Sequence, residues 1–137
     1  MATYRASHLL RFAHCDPAGI AFYPRYFELL DAVVEDWTAE VIGVSRRAMH
    51  QEHGLGLPTV SLEAKFMAMS RLGDRLDFAL DVERLGHSSI AFAVEVVCAG
   101  ERRFAARLTQ VLVRLGQSAA QPWPDEWRAR IEERRDA

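Results

Sequence analysis

The chain has 137 residues, 50% of them hydrophobic and 26% charged, with a formal net charge of −2; that suits one globular domain burying about two-thirds of its unfolded surface, and it excludes a disordered chain. The charge supplies no overall positive field for nucleic acid or an acidic membrane surface, and the longest apolar runs, such as IAFAV at 90 to 94, fall far short of the roughly 20 residues that cross a bilayer. MATYRASHLL carries no apolar stretch of the secretory kind, and Cys15 and Cys98 form no CxxC pair, so a reduced, cytoplasmic setting is the expectation.

Residues 3 to 13 alternate, with Tyr4, Ala6, Leu10 and Phe12 on one face and Thr3, Arg5, Ser7 and Arg11 mostly on the other. This period of two predicts a strand with one buried face. From Pro24 the period changes. Tyr26, Leu29, Leu30, Val33, Val34, Trp37 and Val41 recur at spacings of three and four, the single apolar stripe of a helix of about 18 residues. Pro24 suits its first turn, where a missing N–H costs nothing, and Gly43 is placed to end it. A shorter helix follows, capped by Ser45 and stopped near His53 and Gly54.

Strand patterns then dominate. Val60, Leu62, Ala64, Phe66 and Ala68 alternate with polar neighbours, as do Leu76, Phe78, Leu80 and Val82. Ile90 to Val97 and Phe104 to Leu115 supply two more strands across the turn Ala99-Gly100-Glu101, and Gly73-Asp74 and Leu85-Gly86 mark further hairpin turns. Pro122 and Pro124 close the sheet region before a charged tail helix, DEWRARIEERR. The order is strand, long helix, short helix, four strands and tail helix, without repeats or low-complexity linkers. It predicts an α+β domain in which an antiparallel meander wraps the long helix. The free sheet edges invite a second copy.

Asp16 is the residue that this pattern leaves unexplained. In HCDPAGIAFYPRYF, residues 14 to 27, a lone carboxylate precedes a Pro-Ala-Gly turn and the start of the long helix. An Asp before Pro often only bonds its own backbone. Here it also lies close to the unpaired N–H donors of a helix start, and a carboxylate beside such donors is a minimal hydrolytic site. His14 and Cys15 are neighbours on an extended segment and point to opposite faces, so Cys15 reads as a buried, inert thiol. His50 and His53 have the spacing of two ligands on a helix face, but no third ligand follows, and a solvated helix end is the preferred reading. Glu28, Asp31, Glu35 and Asp36 read as the polar side of the long helix; Arg102, Arg103 and Arg107 straddle a hairpin, with an anionic ligand as an alternative to solvation. No GxSxG, phosphate-loop or dinucleotide pattern is present.

CDPAGIAFYPRYF, with LLD on the following helix and LGHSSIAFAVEV later, resembles the hotdog-fold acyl-CoA thioesterases, and among them the 4-hydroxybenzoyl-CoA thioesterase family. The resemblance covers residues 4 to 115 or so and implies a single hotdog domain over residues 1 to 137, with a helical tail from about 122. By that resemblance Asp16 is the catalytic carboxylate, the Tyr23 backbone N–H polarises the thioester carbonyl, and Gly19 lets the chain approach the substrate. It places substrate and CoA contacts at Leu57, Pro58 and Thr59 and at Gly86, His87, Ser88 and Ser89. Gly86 and His87 stand where relatives carry arginines for the CoA phosphates, and Arg47 takes the place of an aromatic residue beside the pantetheine arm.

The implied activity is hydrolysis of an aryl- or medium-chain acyl-CoA, with Asp16 as nucleophile or general base. No metal and no cofactor beyond the CoA of the substrate is expected, and no nucleic-acid or membrane partner. A homo-oligomer is expected, a dimer or a homotetramer built of dimers. The alternatives are a hotdog hydratase or dehydratase, for which the helix start lacks a His, and a non-catalytic acyl-thioester-binding module.

Overall fold

The computed structural model describes residues 2–137; Met1, the first residue of the expected domain, lies outside them. In chain order the elements are β1 Tyr4–Leu9, α1 Pro24–Trp37 running on into a π-helical turn Thr38–Ile42, α2 Arg46–Gln51, β2 Leu55–Gly56, β3 Thr59–Phe66, β4 Arg75–Leu85, β5 Ser89–Cys98, β6 Glu101–Val111, β7 Val113–Arg114, β8 Ala119–Ala120 and α3 Asp125–Asp136. Five antiparallel strands form the main sheet in the order β1-β4-β5-β6-β3, and β2-β7-β8 make a small second sheet.

Helix α1 forms where the three-four spacing places it. Pro24 occupies its first turn, and all seven residues of the apolar stripe are buried. Their counterparts are the inward residues of the sheet, Leu76, Phe78 and Leu80 on β4, Ile90, Phe92 and Val94 on β5, and Phe104 and Leu108 on β6. Trp37 meets Phe92 edge-on, with ring centroids 4.9 Å apart. Gly43 ends the helical run at φ +81, a left-handed cap that favours glycine. Ser45 Oγ accepts from Ala48 N at 3.0 Å to cap α2. A sheet curved around one long helix is the hotdog fold.

Three expectations change. The four later strands are not a continuous meander. β4, β5 and β6 follow one another as hairpins, but β3 pairs with β6 at the far edge, from Thr59↔Gln110 to Phe66↔Phe104 with a register shift between Thr59 and Ser61. β2 is tied to β7 and delivers β3 to that side, so the Gly73-Asp74 turn starts a strand that pairs with β1 instead of closing a hairpin with β3. The first strand also ends early. Leu10 N donates to Asp74 O, and the chain then makes a 3-10 turn over Phe12–His14, leaving Phe12 exposed. Finally, β3 has no buried face: Val60, Leu62 and Phe66 are 61%, 44% and 50% exposed, because the strand lies at the rim of the sheet, beyond the helix.

The charged tail contributes more to packing than its sequence pattern shows. Trp123, Trp127 and Ile131 join the same core cluster, and Arg130 Nη1 donates to the Ile42 carbonyl at 2.6 Å, closing the end of the α1 run. Truncating Trp37 to Ala removes the largest side chain buried between helix and sheet, so Trp37→Ala is expected to lose about 3–5 kcal/mol of stability. Urea unfolding followed by far-ultraviolet dichroism measures it; a loss below about 1 kcal/mol would mean that α1 is not held by this face.

Candidate active site

Asp16 lies in a tight turn that its own side chain closes. Its Oδ1 accepts from Ala18 N at 2.9 Å and Ile20 N at 3.3 Å, while its backbone N–H donates to Ile20 O and its carbonyl accepts from Gly19 N. Gly19 allows this reversal at φ +76; a Cβ there would meet nothing within 4 Å, so the turn, and no close contact within the chain, calls for glycine. Among the described residues no protein group donates to Oδ2. One carboxylate oxygen therefore fixes the loop, and the other is open.

The chain returns from this turn to the helix start. Cys15 pairs with Ala21 in an antiparallel bridge, and Phe22 N donates to His14 O. At the beginning of α1, Arg25 N bonds Phe22 O and Tyr26 N bonds Tyr23 O, whereas among the described residues Tyr23 N–H takes no acceptor. It is an unclaimed donor at the positive end of a helix dipole. A cavity of about 320 Å³ opens beside it, lined by Ile20, Ala21, Tyr23, Tyr26, Phe66 and the segment from Met67 to Ser70. Asp16 does not line it directly, but is held at its edge through Ile20. Aromatic rings build one wall: Tyr26 stacks on Phe104 at 4.8 Å, and Phe66 lies 5.8 Å from Tyr26 and 6.0 Å from Tyr23.

Arg103 braces this end of the site. The side chain is only 12% exposed, and its Nη1 donates to Asp74 Oδ2 at 2.7 Å, to Ser70 Oγ and to Met69 O. Ser70 in turn accepts from Tyr26 Oη and, through its carbonyl, from Ala21 N, and Leu72 N bonds Gly19 O. The Asp16 loop, the helix start and the crossing segment are thereby tied to one guanidinium. Burial pushes the Tyr26 phenol up, opposed by its bond to Ser70 and by the Arg103 charge. The Arg103 hydrogen bond first, and then the Arg71 N–H, hold the Asp74 carboxyl below its ordinary value.

The other expected contacts gather at the opposite end of the sheet. Leu57, Pro58 and Thr59 line a second cavity of about 310 Å³ with Asp31, Glu35, Arg46 and Gln110. The hairpin Gly86–Ser89 lies on the same side: Ser88 O accepts from Leu112 N at 2.7 Å, and Ser89 pairs with Val111. Its carbonyls are covered by the tail, His87 O accepting from Trp123 N and Gly86 O from Arg128 Nη2. A Cβ at Gly86 would meet only the Ser89 hydroxyl closely, a group that one χ1 rotation moves aside. β3 separates the two groups of residues, and its seven steps span about 23 Å. One chain therefore does not bring Asp16 and Tyr23 together with Leu57–Thr59 or Gly86–Ser89.

Residues 10–131 match the family model described as the thioesterase-like superfamily. The chain belongs to that superfamily. A 1,4-dihydroxy-2-naphthoyl-CoA hydrolase of Thermosynechococcus vestitus is 27% identical over 117 residues, 85% of this chain and 80% of that protein. Among solved structures, a 1,4-dihydroxy-2-naphthoyl-CoA thioesterase from Synechocystis superposes with a TM-score of 0.87 at 20% identity, covering 96% of this chain and 97% of its own. A gentisyl-coenzyme A thioesterase superposes with a TM-score of 0.82 at 20% identity, covering 93% and 99%. At this identity the two structures speak for the fold.

Several other side chains of this thioesterase-like chain have local partners. His14 Nδ1 accepts from Arg11 N at 2.9 Å. The Cys15 thiol contacts Arg11 O, and burial, with the Asp16 and Asp74 charges, raises its pKa, which disfavours the thiolate. His53 packs on Trp127, and among the described residues no three candidate metal ligands cluster. Arg46, not Arg47, faces the second cavity; Arg47 Nε reaches Gln51 instead. Gln110 is absent from the sequence reading, although the alternation Phe104, Ala106, Leu108 puts it at an inward position and so held the signal.

A carboxyl depressed in the folded state adds stability above its unfolded value of about 3.9 and loses it as pH falls through the lower folded value. The stability difference between the native protein and Arg103→Met is therefore expected to be largest near pH 7 and to narrow below about pH 4. Urea unfolding at pH 7, 4 and 3 measures it; a difference that stays constant with pH would show that the Asp74 pairing is not what Arg103 contributes.

Proposed function

We propose that this thioester hydrolase cleaves an aryl- or medium-chain acyl-CoA to the free acid and CoA, and that its working unit is a two-fold dimer. One observation carries the reading: Asp16, with Oδ1 tied and Oδ2 open, stands one tight turn before the unclaimed Tyr23 N–H, at the edge of an aromatic cavity. The thioester carbonyl oxygen points at that N–H, where the helix start favours developing negative charge. Asp16 Oδ2 has two routes. It attacks the carbonyl carbon, forming a mixed anhydride and expelling the CoA thiolate, or it takes a proton from the water that attacks. After single turnover in oxygen-18 water, label in Asp16 marks the first route, since a general base gains none, and release of the CoA thiol ahead of the free acid in a rapid-quench turnover marks the anhydride whichever of its carbonyls water attacks. CoA arrives within the substrate, and no separate cofactor is called for. The aromatic acyl groups named for the relatives and the aromatic wall of the cavity support an aryl substrate.

The dimer follows from the edge strand. β3 presents an unpaired backbone edge with exposed apolar side chains. Antiparallel pairing of β3 with its copy about a two-fold axis sets Thr59 of one chain beside Phe66 of the other. The second cavity and the Gly86–Ser89 hairpin of one copy then approach Asp16 and Tyr23 of the other, and the CoA arm crosses the interface. Arg128, docked on Gly86 O, is a nearby cation for the CoA phosphates where residues 86 and 87 supply no arginine.

Thiol release from short, medium, long and aryl CoA esters tests the activity. Asp16→Asn keeps the size of the side chain and removes the anion; its turnover is expected to fall about a hundredfold or more with the fold intact, and near-normal turnover would reject the assignment. The shared site has its own test. Asp16→Asn mixed with Thr59→Trp, each impaired alone, is expected to recover about a quarter of wild-type activity after subunit exchange, since half of the dimers are mixed and each has one intact site. No recovery among dimers verified by sedimentation would place each site within one chain.

A further inference from the structure

Arg103 holds the segment that crosses from β3 to β4 in two ways. Its backbone carbonyl accepts from Met67 N at 2.9 Å and from Ala68 N at 3.4 Å, and its guanidinium takes over where those bonds stop. Nη1 donates to Met69 O and to Ser70 Oγ, each at 3.2 Å, and to Asp74 Oδ2 at 2.7 Å. One residue of β6 thus clasps the crossing chain from 67 to 74.

The opposite edge of that segment carries the Asp16 loop. Ala21 N donates to Ser70 O and Leu72 N to Gly19 O, both at 2.9 Å, on either side of the bridge between Ile20 and Arg71. The bonds from Asp16 N to Ile20 O, from Gly19 N to Asp16 O, and from Ala18 N and Ile20 N to Asp16 Oδ1 stay inside the loop. The bridge of Cys15 with Ala21 joins its two arms to each other. These bonds give the loop its shape and not its place. Where Oδ2 stands relative to the sheet is therefore set through residues 70 to 72, and by Arg103 behind them. The Tyr23 N–H depends on Arg103 less, because α1 is seated by its buried stripe.

We propose that Arg103 is a positioning residue for the hydrolysis: by clasping the crossing segment it sets where the Asp16 carboxylate stands against the thioester carbonyl, and it touches no reacting atom itself. The inference rests on the hydrolase reading above. Arg103 and Asp74 are both largely withdrawn from water, and the desolvation of such a pair offsets much of its attraction, so stability alone is weak grounds for an arginine there. Reach and geometry are better grounds. A lysine carries the same charge but ends one bond short of Nη1, so it pairs with Asp74 only by giving up the spacing to Met69 O and Ser70 Oγ.

The experiment measures kcat and KM for Arg103→Lys, placed in the native protein and in Asp16→Asn, with unfolding midpoints recorded for each. Thiol release is followed on the ester of the short, medium, long and aryl CoA panel that the native protein cleaves fastest. Displacing a reacting group by about 1 Å costs up to about a hundredfold in rate, and Arg103→Lys is expected to lower kcat about tenfold while changing KM less than about threefold. In Asp16→Asn the same substitution is expected to change the residual rate less than about twofold, because a residue that acts through the carboxylate then has nothing left to position. Equal losses in both backgrounds mark a structural role and overturn the proposal, as do a native kcat in Arg103→Lys and a change confined to KM; each of these leaves the hydrolase reading standing. Should Arg103→Lys fail to fold, Ser70→Ala, which removes one acceptor and leaves the ion pair, decides by the same comparison, with an expected loss of about threefold. No turnover of any CoA ester by the native protein removes the hydrolase reading and the role of Arg103 with it.

Discussion

The structure depends on burying one face of α1 in the concave side of the sheet. The stripe from Tyr26 to Val41 is apolar along its whole length, and a lone helix cannot hide such a stripe from water. A sheet can do so only by curving around it, and the register shifts at Val82/Arg84 on β4 and Val96/Val97 on β5 are local irregularities of the kind that add twist and bend to a sheet. Once helix and sheet are engaged, the start of α1 is fixed relative to the end of β3. That is the location of the Tyr23 N–H and the aromatic cavity.

The Asp16 loop is too short and too polar to be held by burial. It is held by bonds that converge on Arg103: Asp74 supplies the charge, Ser70 relays the contact to Tyr26 and Ala21, and Leu72 reaches Gly19. The guanidinium matters as a shared anchor more than as an isolated ion pair, because several segments distant in sequence meet at it. This arrangement lets one Asp16 oxygen be spent on the backbone while the other stays open.

At the other end of the sheet the arrangement is looser. β3 leaves Val60 and Leu62 in solvent, and the second cavity keeps a buried oxygen and a guanidinium without full partners. Natural cores usually satisfy such groups. These groups lie near the free edge of β3, where its exposed apolar side chains also stand, and this is the edge through which the dimer is proposed.

The sequence by itself determined whatever depends on local periodicity and turn chemistry. The helical stripe, the Pro24 start, the Gly43 and Ser45 caps, the three hairpin strands β4 to β6 and the motif around Asp16 were all legible, because each is set by residues within a few positions of one another. Tertiary structure alone decided that β3 pairs with β6, since its alternation is compatible with either neighbour and the choice rests on the distant β2–β7 pairing. It also decided that Arg46 and not Arg47 turns to the cavity, a matter of about 100° around a short helix, and that Trp123, Trp127 and Ile131 complete the core from a tail that reads as charged. The Arg103 anchor and the orphaned Gln110 oxygen lie beyond the reach of pattern as well: a hydrogen bond made or left unmade between residues tens of positions apart exists only after the chain has folded.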